Sequence, residues 1–184
     1  RIAELIKKEN RTFADLTPDE CLTLSKMVSD ELSEQLLYKI LRQSKRMMKL
    51  TERLTQVVYK TLLGLKYQGN HSAFKPLFFE LPFDTQQTTG IHLKSRELPN
   101  GFKLSLKGII DRVDVAKNEK GDHAYLRIID YKSSEKDLEL DKVYYGLSLQ
   151  LLTYLDIVVS NALQLIDMPA EIGRLLYFHV HRPF

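Results

Sequence analysis

Residues 108–132 read Gly-Ile-Ile-Asp-Arg-Val-Asp-Val-Ala-Lys-Asn-Glu-Lys-Gly-Asp-His-Ala-Tyr-Leu-Arg-Ile-Ile-Asp-Tyr-Lys. The flanking runs 104–115 and 124–131 are rich in Ile, Val, Leu and Tyr, the composition of strands. Between them Asn118-Glu119-Lys120-Gly121-Asp122 is turn chemistry. In an antiparallel hairpin the numbers of paired residues sum to a constant. A turn centred between Lys120 and Gly121 therefore sets Asp111 opposite Asp130. Cross-strand partners have Cβ atoms roughly 4.5–5.5 Å apart, and like charges at that spacing are unfavourable. Two facing carboxylates need a reason, and a bound cation is the simplest one. Lys132, two residues on, falls on the same face as Asp130.

On the N-terminal side, Thr17-Pro18-Asp19-Glu20 predicts a helix start, with a hydroxyl cap, Pro at the first position and acids in the first turn. Leu22, Leu24, Met27, Val28, Leu32, Leu36 and Leu37 follow at helical spacing. A second start is expected near Ser44. Its stripe of Leu50, Leu54, Val57, Val58, Thr61, Leu62 and Leu65 reads as core, and Gly69-Asn70 ends it. Residues 75–83 read as a strand, 84–100 as a loop or irregular hairpin, and 102–116 and 124–133 as the central hairpin. Residues 134–143 are expected to form a mobile surface loop, 145–163 a helix, and 175–180 a final strand. Helices, three strands, a helix and a strand make an α+β or α/β fold with a mixed sheet.

The chain has 184 residues, 43% apolar and 28% charged, ordinary values for a globular protein. No apolar run nears the ~20 residues of a membrane helix, so no membrane partner is expected. Cys21, the one cysteine, excludes an internal disulfide and suits a reducing, cytoplasmic setting. It reads as an inert, partly buried thiol. A net charge of +3 is compatible with a polyanionic partner. The chain opens at Arg1 and stops at Phe184 within an apolar run, and both ends read as cut from something larger.

Asp111 and Asp130 are the expected ligands of Mg²⁺, with the backbone carbonyl of Tyr131 as a further oxygen. Such a cation offsets the negative charge of a phosphodiester and activates water. Lys132 is a compact charge for the attacking water or a non-bridging oxygen. Gln150 and Tyr154 lie four residues apart in a mostly apolar helix, hence on one face. They are expected to reach the site from the side.

These residues, in this order, resemble the PD-(D/E)XK nuclease superfamily. The stretches Gly-Ile-Ile-Asp-Arg-Val-Asp, Leu-Arg-Ile-Ile-Asp-Tyr-Lys-Ser-Ser, Val-Tyr-Tyr-Gly-Leu-Ser-Leu-Gln-Leu-Leu-Thr-Tyr-Leu-Asp and Leu-Leu-Tyr-Phe-His-Val-His are similar to the C-terminal nuclease domain of the B subunit of AddAB-type helicase–nucleases. The resemblance covers nearly the whole chain. It implies a restriction-endonuclease-like α/β fold: a mixed sheet flanked by helices, with a helical N-terminal portion over 1–70 and a nuclease core over 71–184. It implies a Mg²⁺-dependent DNA exonuclease acting on a single strand that emerges from a helicase. The implied partner is a helicase–nuclease A subunit, and the implied process is repair of double-strand DNA ends by recombination. The family also carries a metal-site His on a helix that would fall just before Arg1, and four cysteines that hold an iron–sulfur cluster. None of those is matched here, so the isolated segment is expected to be weakly active or inactive.

Other readings exist for each residue. Asp111 and Asp130 as solvated strand carboxylates, and Gln150 and Tyr154 as satisfied buried polar groups, are the simplest. Arg112 and Asp114 are expected to face away from Asp111 as a surface or structural pair. Glu80 reads as structural or accessory, with an approach to the metal as the alternative, and His179 with His181 as structural, with a metal site as the alternative. Lys7, Lys8, Lys39, Arg42, Lys45, Arg46 and Lys49 read as a solvated face, with DNA phosphates as the alternative. At the level of the whole chain, the alternatives are a non-catalytic DNA-binding scaffold that retains the fold, and a stand-alone nuclease.

Overall fold

The computed structural model describes residues 1–37, 45–85, 90–133 and 149–180, with positions 141 and 145. The chain forms two compact units, one of Arg1–Ala73 with His179–Phe184 and one of Phe74–Phe178.

The first unit is helical: α1 spans Ile2–Lys8, α2 Pro18–Leu37 and α3 Lys45–Asn70. Thr17 and Glu20 start α2 reciprocally. The Glu20 N–H donates to Thr17 Oγ1 at 3.2 Å and the Thr17 N–H to Glu20 Oε2 at 2.7 Å, which satisfies two donors that a helix start leaves open. Ile6, Phe13, Leu16, Cys21, Val28, Leu62 and Leu65 are buried. Cys21 is fully buried rather than partly so, and burial pushes its thiol up. The α3 stripe is core only in its second half. Leu50 and Leu54 are exposed while Leu62 and Leu65 are buried, because helical periodicity marks a face but not what covers it.

The second unit is built on a sheet of order β2-β1-β5-β6-β7. Its strands are β1 Lys75–Asp84, β2 Ile91–His92, β5 Gly108–Lys117, β6 Ala124–Lys132 and β7 Ala170–His179. A separate two-stranded hairpin pairs β3 Arg96–Glu97 with β4 Lys103–Leu104. β1, β5 and β6 are antiparallel neighbours, and β2 runs parallel to β1. Contacts between β6 and β7 advance together: the Ala124 N–H donates to Pro169 O at 3.0 Å, and the Tyr131 ring meets the Phe178 ring at 5.5 Å. β7 thus runs parallel to β6, which requires the helical crossover that follows β6. That crossover carries α4 Gln150–Ser160 and α5 Ala162–Ile166. Leu151, Ile157, Val158 and Ala162 from these helices join Leu81, Phe83, Val113, Leu126 and Ile128 of the sheet in one core cluster.

Three boundaries differ from expectation. The strand expected over 102–116 begins at Gly108, and residues 103–104 pair with β3 instead. The helix expected over 145–163 is broken at Asn161, whose side-chain Nδ2 donates to the Ile157 carbonyl at 2.7 Å and competes with the helical backbone. The last strand starts at Ala170 rather than Leu175. The loop expected over 134–143 lies outside the described residues apart from Asp141, and Lys39, Arg42 and His181 also lie outside them.

Candidate active site

The β5–β6 register runs from Arg112↔Ile129 to Lys117↔Ala124, the constant sum expected from a turn centred between Lys120 and Gly121. Continued one step beyond Arg112↔Ile129, that register sets Asp111 opposite Asp130. The Tyr131 N–H donates to Asp111 Oδ2 at 2.8 Å. Asp130 is buried, and its Oδ2 pairs with Lys132 Nζ at 2.5 Å. Gln150 opens α4 and closes the group. Its Nε2 donates to Asp130 Oδ1 at 3.2 Å and to Tyr154 Oη at 2.9 Å, and its Oε1 accepts from Lys132 Nζ at 3.3 Å. Asp111, Asp130, Tyr131, Lys132, Gln150 and Tyr154 thus form one connected cluster.

Tyr154 is held from behind by Phe83, whose ring lies 5.8 Å away at 68°, an edge-to-face contact. Gly108 lets Phe83 sit there, because a Cβ on Gly108 would lie 2.6 Å from Phe83 Cζ. The glycine that opens β5 therefore serves packing under the site.

Two neighbours complete the electrostatics. Lys132 Nζ lies 5.5 Å from the centroid of the Tyr177 ring, a cation–π distance. Tyr177 sits on β7, and only the parallel pairing of β7 with β6 brings it here; the alternation Leu175, Tyr177, His179 is its one sequence signal. Glu80 is bracketed by the pairs Phe79↔Arg112 and Leu81↔Ile110, so it stands beside Asp111. Its φ of 50° is left-handed, a conformation that costs a non-glycine residue about 1 kcal/mol or more.

Burial is the largest influence on Asp111 and pushes its carboxyl above the usual carboxylate range. The Tyr131 N–H and Lys132 oppose the rise, while the charges of Asp130 and Glu80 add to it. For Lys132, burial acts to lower the ammonium pKa, but the hydrogen bond and charge of Asp130 outweigh it and hold it above the usual lysine range.

Arg112 and Asp114 alternate with Asp111 and Val113 along β5, so their side chains leave on the other side of the sheet. Asp114 is fully buried. It accepts from Arg112 Nε at 2.5 Å and Nη2 at 3.0 Å, and from Arg127 Nη2 at 2.6 Å and Nε at 3.0 Å. Arg112 Nη1 also donates to Tyr131 Oη at 3.3 Å. The pair expected at the surface or as structure is structural and buried, and it reaches Tyr131 between the two site residues of β6.

No group of three or more His, Cys, Asp or Glu poised around one point is found among the described residues. Asp111 and Asp130 offer carboxylate oxygens, the ligand type that Mg²⁺ takes when its remaining positions go to water and phosphate. Burial first, and then the charges of Asp130 and Glu80, hold Asp111 above its usual range, and a bound cation would relieve that repulsion.

A family model described as the PD-(D/E)XK nuclease superfamily matches residues 2–184. Over 185 aligned positions covering all of it, the chain is 44% identical to the B subunit of the ATP-dependent helicase/deoxyribonuclease of Bacillus thuringiensis (strain Al Hakam). It is 45% identical to the protein of the same name from Bacillus mycoides (strain KBAB4) and 44% to that from Bacillus anthracis. The chain spans 16% of the length of each of these relatives. With its mixed five-stranded sheet, flanking helices and ordered motifs, the chain belongs to the PD-(D/E)XK nuclease superfamily.

Proposed function

We propose that this chain is the nuclease domain of a helicase–nuclease B subunit and hydrolyses DNA phosphodiesters with the help of Mg²⁺. The observation that carries this reading is the connected cluster of Asp111, Asp130, Lys132, Gln150 and Tyr154. Asp111, Asp130 and the Tyr131 carbonyl would hold the cation, which when bound polarises the phosphate and lowers the pKa of water. Lys132 holds the attacking water or a non-bridging oxygen and stabilises charge in the transition state. Gln150 orients Lys132 and Asp130 together, and Tyr154 fixes Gln150. Glu80 adds negative charge beside Asp111. The substrate is a single DNA strand delivered by a helicase, cut as an exonuclease. The partner is the A subunit of the same complex, and the process is the trimming of double-strand ends for recombinational repair. The names of the relatives support the deoxyribonuclease and subunit parts of this reading.

The test is Asp130→Ala in the full-length subunit assembled with its partner. Cleavage of one strand should be lost while unwinding persists. Unchanged cleavage of both strands would remove the assignment and leave a scaffold that keeps the fold.

A further inference from the structure

The β3–β4 hairpin forms a sheet of its own, and Glu97, Lys103 and Leu104 of its strands are open to solvent. Phe102 is 69% exposed, and Leu104 and Leu106 are also exposed. The display is built rather than loose. Gly101 N–H donates to Leu98 O at 2.9 Å, Leu98 N–H to Phe102 O at 2.8 Å, and Gly101 has φ 79°. That is a turn closed by a left-handed glycine, a stiff hairpin connection. The Phe102 N–H further donates to Asn100 Oδ1 at 3.2 Å. A large ring held on a hydrogen-bonded turn and left uncovered presents its face for stacking.

Charge says what. Residues 91–107 hold four basic residues, Lys94, Arg96, Lys103 and Lys107, against one acid, Glu97. Their net +3 equals that of the whole chain, in which 27 basic residues face 24 acids. Lys94, Lys103 and Lys107 are exposed; Lys107 reaches Asp84 only at 3.8 Å and keeps most of its side chain in solvent. Topology says where. The hairpin lies between β2, which pairs with the last residues of β1, and Gly108, the first residue of β5. Asp111 lies three residues beyond Gly108, and Asp130 and Lys132 are at the end of β6 that pairs with this start. The hairpin therefore leaves the sheet at the end that holds the site.

We propose that the β3–β4 hairpin is a contact for single-stranded nucleic acid that feeds the Asp111–Asp130 site, with Phe102 stacking one unpaired base and Lys94, Lys103 and Lys107 facing the flanking phosphates. It rests on the nuclease reading for its substrate. An exposed aromatic ring takes the face of any unstacked base, while lysines track the backbone, so such a contact is sequence-tolerant and sensitive to salt. A duplex offers no free base face along its length, so the single strand is the form recognised.

The experiment uses the full-length subunit in its complex, without ATP, and an oligo-dT carrying 5-iododeoxyuridine at each position in turn. Ultraviolet crosslinking followed by peptide mapping should place an adduct on the peptide holding Phe102. The adduct should persist in Asp130→Ala, so the hairpin contact is read even if that site does not cut DNA. Phe102→Ala should abolish the adduct and raise KM for oligo-dT about five- to a hundredfold, the range of one lost stacked base. Phe102→Trp should restore both, and Phe102→Leu should behave like Phe102→Ala. Adducts only elsewhere in the complex would overturn the proposal. So would a Phe102→Leu variant that matches wild type while Phe102→Ala does not, which is the behaviour of an apolar protein-docking face.

Discussion

The Tyr131 N–H donates to Asp111 Oδ2 at 2.8 Å, so the segment that carries Asp130 and Lys132 also fixes the carboxylate on the neighbouring strand. One hydrogen bond thereby ties the register of β5 against β6 to the geometry of both acids.

With Asp111 as the proposed metal ligand, proton and metal would compete at this carboxylate. Burial, Asp130 and Glu80 raise the Asp111 pKa, and a cation binds the ionised form. Mn²⁺ affinity should therefore fall as pH drops through a value above the ordinary Asp range, near about 3.9. Glu80→Gln removes one of the raising charges, so the midpoint should move to lower pH. Calorimetric titration at a series of pH values checks both. A midpoint in the ordinary range, or one indifferent to Glu80, contradicts this electrostatic account.

Lys132 and the metal answer to different acids in part. Lys132→Met removes the ammonium from Asp130 and from Gln150. Single-turnover cleavage should slow by about 100- to 1000-fold, the size of a lost transition-state donor. Mn²⁺ affinity should stay or rise, because a competing cation is gone. Lys132→Arg should not restore the rate, since a planar fork does not replace a point charge. Loss of metal binding along with cleavage would show that Lys132 builds the site instead.

Gly108→Ala tests the packing beneath the site. Its methyl would meet the Phe83 ring at 2.6 and 2.9 Å, and Phe83 supports Tyr154. Urea unfolding should show a loss of about 1–3 kcal/mol, as overpacking does, with slower cleavage. Tyr154→Phe should cost at most about 1.5 kcal/mol, the upper end for one neutral hydrogen bond, and still slow cleavage by releasing Gln150. Wild-type cleavage by Tyr154→Phe would mean that Tyr154 acts through the packing of its ring alone.

The two carboxylates of β5 should respond oppositely to neutralisation. Asp114→Asn takes the Asp114 charge away from two buried guanidiniums, a change that costs about 3–5 kcal/mol. Asp111 is pushed up by its surroundings, so its ionised form opposes folding. Stability from such a group is present below its unfolded pKa and lost as pH rises through the folded one. Asp111→Asn should then leave the metal-free protein as stable or more stable at neutral pH, while removing metal binding. Chemical denaturation of the two variants side by side decides this.

Much of the site is local in the chain. The Asn118–Asp122 turn and the two apolar runs fix a hairpin register, and that register alone sets Asp111 across from Asp130. Gln150 and Tyr154 follow from helical spacing. What periodicity does not carry is tertiary. Glu80 stands by Asp111 through an antiparallel pairing with a left-handed residue in it. Tyr177 arrives by a parallel pairing after a crossover. The separation of β4 from β5 is hidden as well, because Leu104 and Leu106 continue the apolar alternation that Gly108 interrupts. The burial of Asp114 needs Arg127, thirteen residues away across the hairpin, and β-strand alternation marks its side of the sheet but not what lies there.

In the proposed function Asp111 and Asp130 together hold one divalent cation. Electron paramagnetic resonance of free Mn²⁺, titrated without nucleotide into the full-length wild-type subunit and into the variant combining Asp111→Ala and Asp130→Ala, tests it most directly. Wild type should take up one more Mn²⁺ than the variant. Equal uptake by the two proteins would contradict it.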